Sequence, residues 1–100
     1  MAKVDWSFTE NHVRQRHGVE IAWIAEALND PEALVLDPDP ASRSGRSIRT
    51  IEYSISAKRL LTVITVEEDG KVYGVNGWKS NNIDVRRYKE EEEEEEEEEE

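Results

Sequence analysis

The sequence predicts an α+β domain: two N-terminal helices, a mainly antiparallel sheet of about four strands, and a C-terminal helix that leads into an acidic tail. Three observations carry this. Apolar residues recur at helical spacing across 19–28. From Ser47 onward they alternate, or run together in strand-length segments, around an Asp69-Gly70 hairpin signal. Residues 90–100 are an unbroken glutamate run with nothing to bury, which divides the chain into a folding unit at 1–89 and a tail at 90–100.

Taken in order, 8–16 reads as a short helix. Thr9 is its candidate cap, Asn11, His12 and Arg14 keep one side polar, and His17-Gly18 ends it, since glycine enters the left-handed region at little cost. The second helix, 19–28, places Ile21, Ile24, Ala25 and Leu28 on one face, and Asn29-Asp30-Pro31 stops it. Residues 33–36 form a short strand candidate, and a long polar loop with prolines at 38 and 40 follows. Across 47–55, Arg49, Ile51, Tyr53 and Ile55 share one face, and Thr50, Glu52 and Ser54 the other, as in a half-buried strand. Residues 60–66 are apolar on both faces and so belong at the centre of the sheet. Residues 71–78 return as the next strand. The last helix, 81–89, takes Asn81 or Asn82 as its cap and Ile83 as its anchor. Trp6 and Trp23 are expected in the core. The tail is expected to be solvated, or a fraying continuation of the last helix.

The tail also holds the whole net charge of −11, because the thirteen acidic residues before it match the 13 basic ones. The chain is thus not a uniformly acidic polymer. No apolar run nears the roughly 18 residues of a membrane span, and the opening residues show no apolar stretch of signal-peptide length. The absence of cysteine removes disulfides, zinc-thiolate sites and thiol nucleophiles, and fits a cytoplasmic protein. Two histidines among scattered carboxylates make a poor metal site, and no cofactor is expected.

The informative feature is a set of basic residues at element ends. Arg16 closes the first helix, Arg49 opens a strand, Lys79 follows the last strand, and Arg86, Arg87 and Tyr88 lie on the last helix. In a domain of zero net charge, such residues suggest a local phosphate site, and they are expected to converge where the sheet meets the last helix. Metal-independent RNA cleavage needs a base for the 2′-hydroxyl, cations for the phosphorane and an acid for the leaving oxygen. Arginine and lysine supply the cations; His17 or Tyr88 could move the proton. Trp78 is a candidate base-stacking platform or a packing residue. Each also has a structural reading: His17 suits a helix C-terminus, Arg86 and Arg87 can pair with the glutamates beyond them, and a buried Arg49 needs a partner.

In order and spacing, Trp6 with Asn11, Arg16-His17-Gly18-Val19, Asn29-Asp30-Pro31, Arg49, Lys58-Arg59-Leu60-Leu61-Thr62-Val63, the segment from Val75 to Ser80, and Arg86-Arg87-Tyr88 resemble the BrnT family. These are ribonuclease toxins of bacterial type II toxin–antitoxin systems, related in fold to RelE. The resemblance covers 4–89. It implies a compact α+β ribonuclease, neutralised by a ribbon-helix-helix antitoxin that binds operator DNA, so that DNA is reached only through that complex. It implies working residues that are mostly the basic ones on the late strands and last helix; joined with the reading of the residues above, the catalytic candidates are Arg49, Lys79, Arg86, Arg87 and His17, and the candidate RNA contacts are Arg16, Trp78 and Tyr88. Trp78 stands where the family carries an arginine, and Asn82 and Ile83 replace further basic residues. A rival reading is therefore a non-catalytic binding module of the same fold. A third is an adaptor whose acidic tail recruits a basic partner.

Overall fold

The computed structural model describes residues 4–98. The elements run β1 (Val4–Asp5), α1 (Glu10–His17), α2 (Ile21–Ala27), β2 (Leu34–Leu36), β3 (Ser47–Ser54), β4 (Arg59–Glu68), β5 (Lys71–Lys79) and α3 (Asn82–Glu98). They build an α+β fold around one five-stranded sheet of order β1-β5-β4-β3-β2. β2 through β5 pair antiparallel; β1 joins β5 in parallel, with Val4 opposite Val72 and Asp5 opposite Tyr73. The sheet thus has five strands rather than about four. A two-residue strand carries no periodicity, so nothing in the sequence announces β1.

β4 is the central strand, with Leu61 to Thr65 buried on both faces as its apolar run predicts. On one face, Leu61 and Val63 pack with Val13 of α1, Ile24 of α2, Val19 and Trp6. Two glycines of β5 let this layer close. A Cβ on Gly74 would sit 2.4 Å from the Trp6 ring, and one on Gly77 would sit 3.0 Å from Ile24. The other face of the sheet carries Arg49, Ile51, Thr62, Ile64 and Trp78, and receives α3.

Several local expectations are corrected. Thr9 precedes α1, but its hydroxyl donates to the Gly74 carbonyl at 2.7 Å, tying the helix to β5 instead of capping it. Gly18 ends α1 in the left-handed region at φ 64, as expected. α2 is shorter than 19–28 and buries Ile24 and Ala27, leaving Ala25 and Leu28 exposed. β3 is not half-buried: α2 and α3 cover opposite sides, so Glu52 and Ser54 are fully buried, whereas Tyr53 is 42% exposed and Ile55 71%. Asp69 and Gly70 both adopt positive φ, 53 and 77, as the tight β4–β5 hairpin requires. Asn81 caps α3, its side-chain oxygen accepting the Asp84 backbone N–H at 3.0 Å. Ile83 is 62% exposed and anchors nothing; among the described side chains of α3, Asp84 and Tyr88 are the buried ones. α3 continues through the glutamate run to Glu98, well beyond residue 89. Among the described residues, no helix is long and apolar enough to cross a membrane.

Candidate functional site

Arg49 lies on β3 with its side chain toward α3, and the fold surrounds it with acceptors. Its Nε donates to Asp39 Oδ1 at 2.8 Å, its Nη2 to Asp39 Oδ2 at 3.4 Å, and its Nη1 to Asp84 Oδ2 at 2.7 Å. Asp39 comes from the β2–β3 loop. That loop is held by the Asp39 N–H on the Ser47 carbonyl, 2.7 Å, and by the Ala41 N–H on the Asp39 carboxylate, 3.1 Å. Asp84 comes from the first turn of α3, where a carboxylate suits the helix dipole. It also accepts from the Thr62 hydroxyl at 2.8 Å and from Arg87 Nη1 at 2.9 Å. Ser80 lies 2.7 Å from the Thr62 hydroxyl and extends the network to the β5–α3 junction.

Arg49, Asp39 and Asp84 are all buried, while the Arg87 side chain is 36% exposed. Burial is the largest single effect on the Asp39 carboxylate and works against it, but the Arg49 hydrogen bond, the Ala41 N–H and the charges of Arg49 and Arg87 together outweigh it and hold Asp39 below its usual range. Burial likewise opposes the Arg49 charge, and the hydrogen bonds and charges of Asp39 and Asp84 together outweigh it and raise the Arg49 pKa. Two guanidiniums face two carboxylates, so the network is neutral. Buried charges survive only when paired in this way.

Trp78 joins this network to α1. The Arg49 guanidinium carbon lies 5.6 Å from the centre of the Trp78 ring, a cation–π distance. The His17 ring lies 6.0 Å from Trp78, and His12 stands edge-on to His17 at 5.7 Å. β1 covers β5 only at Val72 and Tyr73, which leaves the Trp78 end of β5 open to the C-terminus of α1. Burial lowers the His17 pKa from 6.5, and His12 and Arg16 lower it further, against the opposing effect of the nearby Asn76 side chain. The imidazole is therefore neutral at pH 7. Its Nε2 is buried and has no hydrogen-bond partner among the described residues.

The structure thus brings together His17, Trp78, Arg49 and Arg87 from the sequence-derived set. It does not bring all the basic residues to one place. Lys79 is opposite Leu61 and Arg49 opposite Ile64 on β4; these positions differ by an odd number, so the two side chains leave opposite faces of the sheet. Arg86 is exposed on the outer side of α3, lining a shallow depression with Asn82, Val85, Lys89 and Glu90. Arg16 is exposed on the last turn of α1. The Tyr88 hydroxyl donates to Asp30 Oδ2 at 2.8 Å, where the Tyr53 N–H also donates at 2.8 Å. Tyr88 therefore ties α3 to the end of α2. Among the described residues, no group of three or more histidines and carboxylates could hold a metal ion.

Sequence reasoning missed Asp39, Thr62 and Asp84. For Asp84 a signal existed, an acid three residues after the cap Asn81. Asp39 sits in a polar loop between two prolines and offers no periodic signal. The class defined by this fold and site is an α+β domain whose last helix is bolted to the sheet by a buried arginine–aspartate network. No protein-family model matches the chain, and no curated protein matches it.

Proposed function

We propose that this chain is a BrnT-like toxin domain, a metal-independent ribonuclease of a type II toxin–antitoxin pair, with RNA as substrate and a ribbon-helix-helix antitoxin as partner. One observation supports it most: His17, Trp78, Arg49 and Arg87 form a continuous chain of contacts beside α3. In this reading RNA binding beside Trp78 first uncovers the buried His17 Nε2, and the neutral imidazole then accepts the 2′-hydroxyl proton of RNA. The 2′-oxygen bonds to phosphorus, and the 5′-oxygen leaves and takes a proton from water, giving a 2′,3′-cyclic phosphate and a 5′-hydroxyl. Arg49 and Arg87 offset the phosphorane charge, and Trp78 stacks on a base. Lys79, on the other face, has no part at the phosphate.

A second reading, a binding module of the same fold without turnover, is favoured by the engagement of Arg49 with both aspartates. The experiment that divides the two is expression of the chain alone in bacteria, with purified protein incubated with RNA in EDTA. The ribonuclease reading expects growth arrest and cyclic-phosphate ends, with Arg87→Ala slowing cleavage about 100-fold. A folded protein that cuts no RNA and arrests no growth, yet binds the antitoxin, supports the second reading.

A further inference from the structure

We propose that Asp39 is an autoinhibitory latch: its carboxylate occupies the position of an RNA phosphodiester on the Arg49 fork. This rests on the reading above that this face binds RNA, and adds how the site is held closed.

The charge count singles out Asp39. Asp84 accepts from Arg49, Arg87 and Thr62, and so belongs to the frame that joins α3 to β4. It balances only one of the two guanidiniums. Asp39 balances the second, and it does so from a loop rather than from a helix or strand. With Asp39 withdrawn, the site holds two arginines against one carboxylate, a charge of +1 beside Trp78. A phosphodiester carries the single negative charge that is then missing.

Shape agrees with charge. Arg49 holds Asp39 through Nε and Nη2 on two different carboxylate oxygens, the forked arrangement that guanidinium also makes with two phosphate oxygens. The partly exposed Arg87 side chain provides a route from solvent, and Arg87 lies near enough to Asp39 to lower its pKa. The loop can close without Arg49: its own turn bonds join Asp39 to Ala41, Ser42 and Ser47. Asp39 is thus a preformed intramolecular anion that competes with RNA. An RNA strand must displace it, and a partner that lifts the 37–46 loop would open the site.

The test uses the full chain, Asp39→Asn, and two probes: a fluorescent single-stranded RNA oligonucleotide and inorganic phosphate. Replacing the carboxylate by its neutral isostere is expected to tighten RNA binding about tenfold, the worth of a hydrogen bond to a charged group. The salt dependence should steepen by about 0.7 in slope, one additional phosphate contact on a single strand. Phosphate should raise the melting temperature of Asp39→Asn and not of the wild type. In Asp39→Asn with Arg49→Lys, which keeps the charge but loses the fork, the gain should shrink; an undiminished gain would mean simple loss of negative charge and would overturn the latch. A folded Asp39→Asn with wild-type RNA affinity and no phosphate response also overturns it. If phosphate stabilises Asp39→Asn alone while RNA binds neither protein, the latch stands and the RNA reading fails. If Asp39→Asn does not fold, Pro40→Gly loosens the loop with every charge in place. It should tighten RNA binding by a smaller factor, and unchanged binding there counts against the latch.

Discussion

Arg49 shows how far a single residue can be read from sequence. A guanidinium on an otherwise apolar strand face had to have a partner, and it has two. Neither pairing with Arg49 was legible, because the partners lie 10 and 35 residues away, one in a loop and one on a helix, and the local cap signal at Asp84 says nothing of its partner. Only the packing of α3 on β3 and β4 joins them. Asp84 is the more heavily used of the two. Asp84→Ala leaves Arg49 with Asp39 alone and takes from Arg87 its Asp84 ion pair, and should destabilise the fold by about 3–5 kcal/mol, the cost of breaking a buried pair. Urea unfolding measures this directly. Glu52 is the opposite case, a buried carboxyl whose two oxygens have no partner among the described residues. Burial, and then the Asp30 charge, push its pKa up to about 8. Folded Glu52 therefore holds its proton where the unfolded chain has lost it. Its contribution is fully present below the ordinary carboxyl range and is lost as pH rises through about 8. Each pKa unit is worth about 1.4 kcal/mol, so the loss is of the order of a few kcal/mol. Glu52→Gln should match the wild type at pH 5 and exceed it at pH 9 in urea midpoint. A wild-type midpoint that is flat between these values would remove the buried-acid account.

At the scale of elements, β3, β4 and β5 were legible because strand periodicity and a two-residue turn are local signals. The faces of β3 were not. Alternation was present, but it assigned Glu52 and Ser54 to solvent, and the arrival of α2 covers them. α2 itself misled in a similar way. Seven residues make barely two turns, so several apolar faces fit, and contact with β3 and β4 selects Ile24 and Ala27. The β5 glycines carry a constraint that composition alone does not reveal. At Gly74 the Trp6 ring fills the space of a side chain, with its atoms 2.4 Å from where a Cβ would stand. Gly74→Ala must push Trp6 outward or bend β5, an overpacking cost of about 1–3 kcal/mol. Because Trp6 follows β1 directly, the same change should also loosen the parallel β1–β5 pairing. Amide hydrogen exchange at Val72 and Tyr73 would report it, and unchanged protection there would show that Trp6 moves without disturbing the edge.

For the whole molecule, the division into a neutral unit and an acidic run was legible from charge alone, but the run is not separate from the fold. α3 begins in the arginine–aspartate network and continues as one helix to Glu98. The sequence alone left the tail's path open. A flexible chain could fold back over Arg87; a helix cannot. Counted from Arg87 at 1.5 Å per residue, the helix has moved about 16 Å along its axis by Glu98. That is roughly twice the Debye length of about 8 Å at physiological salt. Deleting residues 94–100, which start about 10 Å along the axis from Arg87, should therefore change RNA affinity by less than about twofold at 0.15 M salt. At 0.01 M the Debye length is about 30 Å, the whole run acts on the site, and the deletion should tighten binding several-fold. Fluorescence anisotropy at the two salt concentrations reads both values. A large gain at physiological salt would mean that the run folds back onto the site, and the helix would then have to open near Lys89.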